Sequence, residues 1–158
     1  MKKSKLLFLA IGIYTNVYAT DIQTKVEVDK FLASYPNIDQ INTRLMQHKF
    51  SCKGLINGYL DRIRLYNLSV INNLAPLNAI TQLNPQALVE AESLDIKLVS
   101  NKLPLGKLFC VPVIVKDNID VVGLHTSSGS LGFLGIYPVA DAEIVRNIKK
   151  EDGIILAK

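Results

Sequence analysis

The residues best suited to chemistry follow a short apolar run near residue 115. Residues 113–115 are all β-branched and predict a buried strand, yet the run passes directly into Lys116, Asp117 and Asn118. A lysine at the end of such a strand is either a surface residue whose stem lies along the core, or a partly desolvated amine that can accept a proton. The residue type alone leaves both interpretations open.

A loop of small residues follows these three polar side chains. Its glycine and hydroxyl residues are Gly123, Thr126, Ser127, Ser128, Gly129, Ser130 and Gly132. Small residues let the backbone approach another group closely, so N–H groups of this loop can lie near the lysine amine. Because Ser-Gly turns are common in loops, we expect these hydroxyls to support a site rather than to act as nucleophiles.

A longer series of residues extends this pattern in both directions. Around the loop it comprises residues 108–120, Gly123, Thr126, residues 128–130, Asp141, Val145 and residues 154–158. Upstream it comprises Arg62, Ile63, residues 77–79, Asn84, Pro85, Ala87, Ala91, Leu94 and Asp95. In this order the series resembles the amidase signature family of serine hydrolases, over about residues 38–158. The sequence departs from the family at Cys110 and Ala157, where glycine is usual.

The resemblance implies a mechanism and a catalytic residue. Members of the family hydrolyse amides with a serine nucleophile, a second serine in a cis peptide that relays its proton, and a neutral lysine that accepts it. Lys116 matches this lysine. Both serines lie on a later segment of the family that has no counterpart here, so we expect the N-terminal part of an amidase acting on carbon–nitrogen bonds. We expect this chain alone to be inactive and marginally stable.

The other residues around Lys116 are expected to support the site. A carboxylate pointing inward from Asp117 would favour the charged amine, so we expect Asp117 and Asn118 to turn away and fix the loop. The loop residues expected to help are Thr126, Ser128, Gly129 and Ser130. Two alternatives remain: a non-catalytic binding module that retains the scaffold, and an amide-transfer subunit of the same family.

Composition limits the classes of protein and partner. The chain has 158 residues, of which 49% are hydrophobic and 20% charged, as expected for one globular domain rather than a disordered chain. Three N-terminal lysines account for most of the formal charge of +4, so no basic face for nucleic acid is expected. His48 and His125 are isolated, and we expect no metal or cofactor. The expected partners are a small-molecule or peptide amide and the remaining part of the amidase as a separate chain.

The first 19 residues have the three parts of a secretory signal. Lysines open it, residues 6–14 form an apolar run too short to span a bilayer, and Ala19 precedes the predicted cut. We expect export to the periplasm or the medium, with Thr20 as the mature N-terminus; an uncleaved anchor is the alternative.

Cys52 and Cys110 can pair in an oxidising compartment, but the sequence does not require it.

Hydrophobic periodicity predicts an α/β fold. Residues 20–37 are expected to form a mobile or loosely docked leader before a partial amidase-like domain at 38–158. That domain begins with a helix near residue 38 and a second helix capped by Ser51, whose neighbours Gly54 and Gly58 suit close helix contact or are simply tolerated.

The second half of the domain alternates strands and helices. Residues 74–83 predict a strand, and Asn84 is expected to cap the helix that follows. The central strand near residue 115 is followed by a helix capped by Asp141 and by a strand at 154–156. Strand, helix and strand in this order imply parallel pairing. We therefore expect the N-terminal portion of a mixed or parallel sheet covered by helices.

Overall fold

The computed structural model describes residues 24–71, 74–100 and 103–158. The predicted signal sequence and its cleavage point at Thr20 lie outside these residues. The domain boundaries after residues 19 and 37 stay predictions. Among the described helices, none has both the length and the apolar character needed to cross a bilayer.

Among the described residues, four α-helices precede the first strand, and a fifth lies between the first strand and the second. The helices are α1 (residues 24–33), α2 (Ile38–Met46), α3 (Cys52–Leu68), α4 (Ala87–Val99) and α5 (Glu143–Lys150), with a 3₁₀ turn at Leu131–Phe133. The strands are β1 (Pro112–Ile114) and β2 (Ile154–Ala157).

Strands β1 and β2 form a parallel pair with α5 as the crossover between them. Pro112 is paired with Ile154, and beyond β1 the Val115 N–H donates to the Ala157 carbonyl at 3.2 Å. Every residue of β2 is buried, as is usual for a parallel strand covered on both faces. The α/β fold with parallel strands and packed helices, predicted from the sequence, is confirmed.

Strand β2 separates two apolar clusters. Ile154 and Leu156 face a large cluster built with α1 to α4, whereas Ile155 faces a smaller cluster that includes Val121 and Val145. Successive side chains of a strand point to opposite faces, so this short strand contributes to both clusters.

Residues 24–33, which belong to the leader predicted to be mobile or loosely docked, form helix α1. Helix α1 packs Val28 and Leu32, one turn apart, into the large cluster. Both side chains lie over Gly58 of α3, where an added Cβ would lie 2.6 Å from Val28 Cγ1. The expected close contact at a small residue is present at Gly58, and it explains how α1 docks.

The predicted strand at residues 74–83 is wrong. This stretch makes a single antiparallel bridge to β2, between Leu83 and Ala157. Its backbone binds the buried Asn67 side chain, whose Oδ1 accepts from the N–H groups of Ala79 and Ile80 at 2.6 and 2.8 Å. A side chain of α3 therefore takes the hydrogen bonds that a neighbouring strand would have made.

Ser51 caps α3 as predicted, but Asn84 and Asp141 are not helix caps. Asn84 Nδ2 donates to the Ile155 carbonyl at 2.7 Å instead. Asp141 accepts from the Val122 N–H at 2.7 Å and from Lys149 Nζ at 2.8 Å. Asn84 thus connects the start of α4 to strand β2, and Asp141 connects the start of α5 to the loop after β1. Local sequence does not reveal such long-range contacts.

The two cysteines form a disulfide, which answers the question that the sequence left open. It joins the first residue of α3, Cys52, to Cys110 before β1, and both residues are fully buried. Cys110 has φ +59°, in the left-handed region that favours glycine. The backbone at Cys110 thus has a conformation that glycine adopts without strain, and the disulfide gives cysteine a reason to occupy the position.

We expect glycine to replace Cys110 better than alanine once the disulfide is removed. Cys52→Ala with Cys110→Gly should be about 1 kcal/mol more stable to unfolding than Cys52→Ala with Cys110→Ala, because glycine adopts φ +59° without strain. Both pairs should lose roughly 2–4 kcal/mol relative to the parent, since the cross-link constrains the unfolded chain. Urea unfolding measures both differences, and equal stability of the two pairs would contradict the strain argument.

Candidate active site at the carboxyl edge of the sheet

The carboxyl ends of β1 and β2 bring two lysines to one edge of the sheet. Lys116 follows Val115, whose N–H donates to the Ala157 carbonyl, and Lys158 follows Ala157 directly. In open α/β sheets this edge is where ligands bind.

Lys116 lies at the solvent side of this edge. The preceding Val115 is buried in the smaller cluster, whereas the Lys116 side chain is exposed. The backbone turns immediately, since the Lys116 carbonyl accepts from the Ile119 N–H at 2.9 Å. An exposed amine is accessible to a reacting group, and its role as a base stays a prediction.

Asp117 binds the loop that follows. Its Oδ2 accepts a short hydrogen bond from Ser127 Oγ and a longer one from the Gly129 N–H at 3.4 Å. The hydrogen bond from Ser127 holds the pKa of Asp117 below its usual range. The other carboxylate oxygen, Oδ1, is buried without a hydrogen-bond partner among the described residues. Asp117 therefore keeps the loop close to the end of β1.

The loop itself is a turn of left-handed residues. Ser128 and Gly129 have φ +53° and +75°, and the Ser127 carbonyl accepts from the Ser130 N–H at 2.9 Å. Ser130 Oγ accepts from Gly132 N–H at 3.2 Å, where the 3₁₀ turn begins. Ser128 is exposed, as is Asn118 on the turn after Lys116. Among the described residues, neither Ser128 nor Asn118 forms a hydrogen bond with Lys116.

Lys158 is the site residue that reasoning from sequence missed. Its side chain is buried, and Nζ donates to the His125 carbonyl and to Thr126 Oγ1, each at 2.8 Å. Burial lowers the pKa of Lys158, while the carboxylates of Asp117 and Asp120 act in the opposite direction. A signal was present: residues 154–157 are an apolar run that ends in a lysine, like the run before Lys116.

The family-model comparison matches the description Amidase over residues 55–158. The chain belongs to the amidase family. A glutamyl-tRNA(Gln) amidotransferase subunit of Chlorobium luteolum is 34% identical over 124 residues, which cover 78% of this amidase-family chain and 24% of the relative. The corresponding subunit of Chlamydia pneumoniae is 53% identical over 73 residues, 46% of this chain and 15% of the relative.

Solved amidases share the fold of this amidase-family chain. The native peptide amidase of Stenotrophomonas maltophilia matches with a TM-score of 0.71 and 30% identity, covering 77% of this chain and 24% of that enzyme. An amidase family protein from Bacillus anthracis matches with a TM-score of 0.75 and 28% identity, covering 87% and 26%. The chain spans about a quarter of the length of the relatives that it matches.

We expect the burial of Lys158 to make the chain more stable at alkaline pH. The folded-state pKa lies below 10.5, so protonation favours the unfolded chain, and stability should rise as pH increases from the folded-state value towards 10.5. Lys158→Met should lack this rise. The half-buried Tyr59, whose pKa is raised by burial, acts in the opposite sense in both proteins. The difference in Tm between the two proteins, measured from pH 7 to 10.5, therefore reports the contribution of Lys158 to the pH dependence of stability. A difference that stays constant over this range would contradict the lowered pKa of Lys158.

Proposed function

We propose that this chain supplies the lysine part of an amidase centre that hydrolyses carbon–nitrogen amide bonds. The observation that carries the proposal is the exposed Lys116 amine at the carboxyl edge of a parallel strand pair. Beside it, the loop that begins at Thr126 is held to both strands by Asp117 and Lys158. A general base must be neutral, so we propose that the part of the amidase centre that completes the site also covers this amine and excludes water from it.

The proposed chemistry moves one proton through Lys116. A serine hydroxyl attacks the amide carbonyl, its proton passes through a second serine to the neutral amine, and the leaving amine takes that proton as the carbon–nitrogen bond breaks. Water then hydrolyses the acyl-serine. The family resemblance implies that both serines lie on a later part of the amidase domain. We propose that this part completes the centre, either on the same chain or as a separate one.

The proposed substrate is a small-molecule or peptide amide. The peptide amidase of S. maltophilia, at 30% identity, favours an enzyme of this class. The amidotransferase relatives at 34% and 53% identity favour a second candidate, amide transfer within a tRNA-dependent complex. Two features weigh against that candidate: the buried disulfide suits an oxidising compartment, and removing the three N-terminal lysines from a formal charge of +4 leaves only +1.

We also propose that the protein is exported. The motivation is the signal-like composition of residues 1–19, which is followed by a domain with a buried disulfide between Cys52 and Cys110. Disulfides of this structural kind persist in the periplasm and outside the cell, and they are rare in the cytosol.

Lys116→Met should abolish amide hydrolysis in a completed centre while preserving the fold. Methionine keeps much of the apolar stem but has no proton acceptor, so the rate should fall by roughly two to four decades. The assay uses this chain fused to, or expressed with, the remaining part of the S. maltophilia peptide amidase, and it follows ammonia release from a peptide amide.

Lys150→Met is the matched control, because Lys150 is an exposed lysine at the end of α5. It should retain the turnover of the parent. Unchanged turnover in Lys116→Met would show that Lys116 is an ordinary surface lysine and not the base. A folded parent chimera without turnover would favour the non-catalytic binding module instead.

The exported protein should begin at Thr20. N-terminal sequencing of material from the periplasm or the medium measures this directly, and a variant with Lys2, Lys3 and Lys5 changed to glutamate should be retained in the cytosol, because the positive start of the signal is lost. A soluble cytosolic product that retains Met1 would overturn the proposal of export.

A further inference from the structure

Lys158 is fixed by its backbone while its side chain crosses to another segment. Its N–H donates to the Gln82 carbonyl at 2.8 Å, and its carbonyl accepts from the Thr81 N–H at 2.8 Å. From this anchored position the side chain, only 3% exposed, reaches the backbone at His125 and the hydroxyl of Thr126. Burying a lysine costs free energy, and the two hydrogen bonds from Nζ offset part of that cost.

We propose that Lys158 is a positioning residue that holds residues 125–130 against the carboxyl edge of the sheet, so that Lys116 lies beside a fixed loop. The importance of this loop for Lys116 rests on the proposed function. The holding of the loop by Lys158 does not, because it depends only on contacts that the structure describes.

The loop is held from both strands at once. From the β1 side, the Asp117 carboxylate binds Ser127 Oγ and the Gly129 N–H. From the β2 side, Lys158 Nζ binds the two residues that precede Ser127. Because Asp117 is adjacent to Lys116, the position of the loop is coupled to the backbone that carries the exposed amine.

The contacts of Lys158 distinguish it from a base. Both of its side-chain contacts can be donations, one to a carbonyl that accepts only and one to a hydroxyl. A buried amine with these partners has no access to a substrate, whereas the Lys116 amine is exposed. The two lysines at this edge therefore have different roles: the Lys116 side chain faces the solvent, and the Lys158 side chain holds the loop.

Shortening or neutralising the Lys158 side chain would leave two acceptors without their donor. The His125 carbonyl and Thr126 Oγ1 are both in partly buried residues, so each would have to find a new partner by moving. The carboxylates of Asp117 and Asp120 would also lose the cation that faces them. The loop would therefore lose the side-chain hydrogen bonds that hold it to the end of β2.

The test is amide hydrogen exchange in the full chain, with Lys158→Met as the first variant. The Thr126 and Ser130 N–H groups, bonded to the Ile136 and Ser127 carbonyls, report on the loop. Their exchange should accelerate by about tenfold or more, since the hydrogen bonds that hold the loop are lost. The Ile154 N–H, bonded to Val111 in the sheet, should keep its rate.

Variants at Thr126 provide a second test that keeps Lys158 in place. Thr126→Val removes the acceptor and should also accelerate exchange in the loop, whereas Thr126→Ser retains a hydroxyl and should restore the rates of the parent. Lys116→Met is the matched control at the same edge, and it should leave the loop rates unchanged because its side chain is exposed.

The outcomes separate positioning from general stability. Loop rates in Lys158→Met equal to those of the parent would overturn the proposal, as would equal acceleration at Ile154. If Lys158→Met does not fold, the Thr126 pair decides: equal rates in the valine and serine variants would overturn it. Exchange requires no catalysis, so this result stands whether or not Lys116 proves to be a base.

Discussion

The parallel pairing of β1 with β2 determines where the chemical groups of this chain lie. The hydrogen bond from Val115 to Ala157 places the residues that follow them, Lys116 and Lys158, at one edge. Parallel strands need a crossover, and α5 supplies it by packing Val145 into the cluster under Ile155. A site at this edge therefore requires the whole β–α–β unit, and neither strand can form it alone.

The other face of the sheet depends on helices that the disulfide holds in place. Cys52 and Cys110 connect the start of α3 to the turn before β1, while Asp95 of α4 accepts from the Cys52 N–H at 2.7 Å. A carboxylate beside a helix start is favourable, because the first N–H groups of a helix lack partners. The large cluster thus has a covalent and a polar connection at the same corner.

Sequence patterns predicted the elements that depend on local spacing and failed where a distant residue decides. Ser51 and the helix after it followed from capping and periodicity, and two apolar runs predicted the paired strands. The prediction of a strand at 74–83 was wrong: apolar residues with only Asn78 and Thr81 as polar interruptions suit a strand, yet Asn67 binds the backbone of this stretch. Lys116 was found as a residue type in a motif, whereas the contacts of Lys158 arise only after β2 is paired.

The same local pattern has opposite outcomes at the two strands because different segments cover their ends. After β1 the chain turns at once, so Lys116 extends from the edge of the structure. After β2 the backbone of Lys158 is bound by residues 81 and 82, and the loop at 125–130 lies over its side chain. An apolar strand followed by lysine thus encodes an accessible amine or a buried anchor, and the covering segments decide which. At this edge the anchor fixes the loop beside which the accessible amine lies.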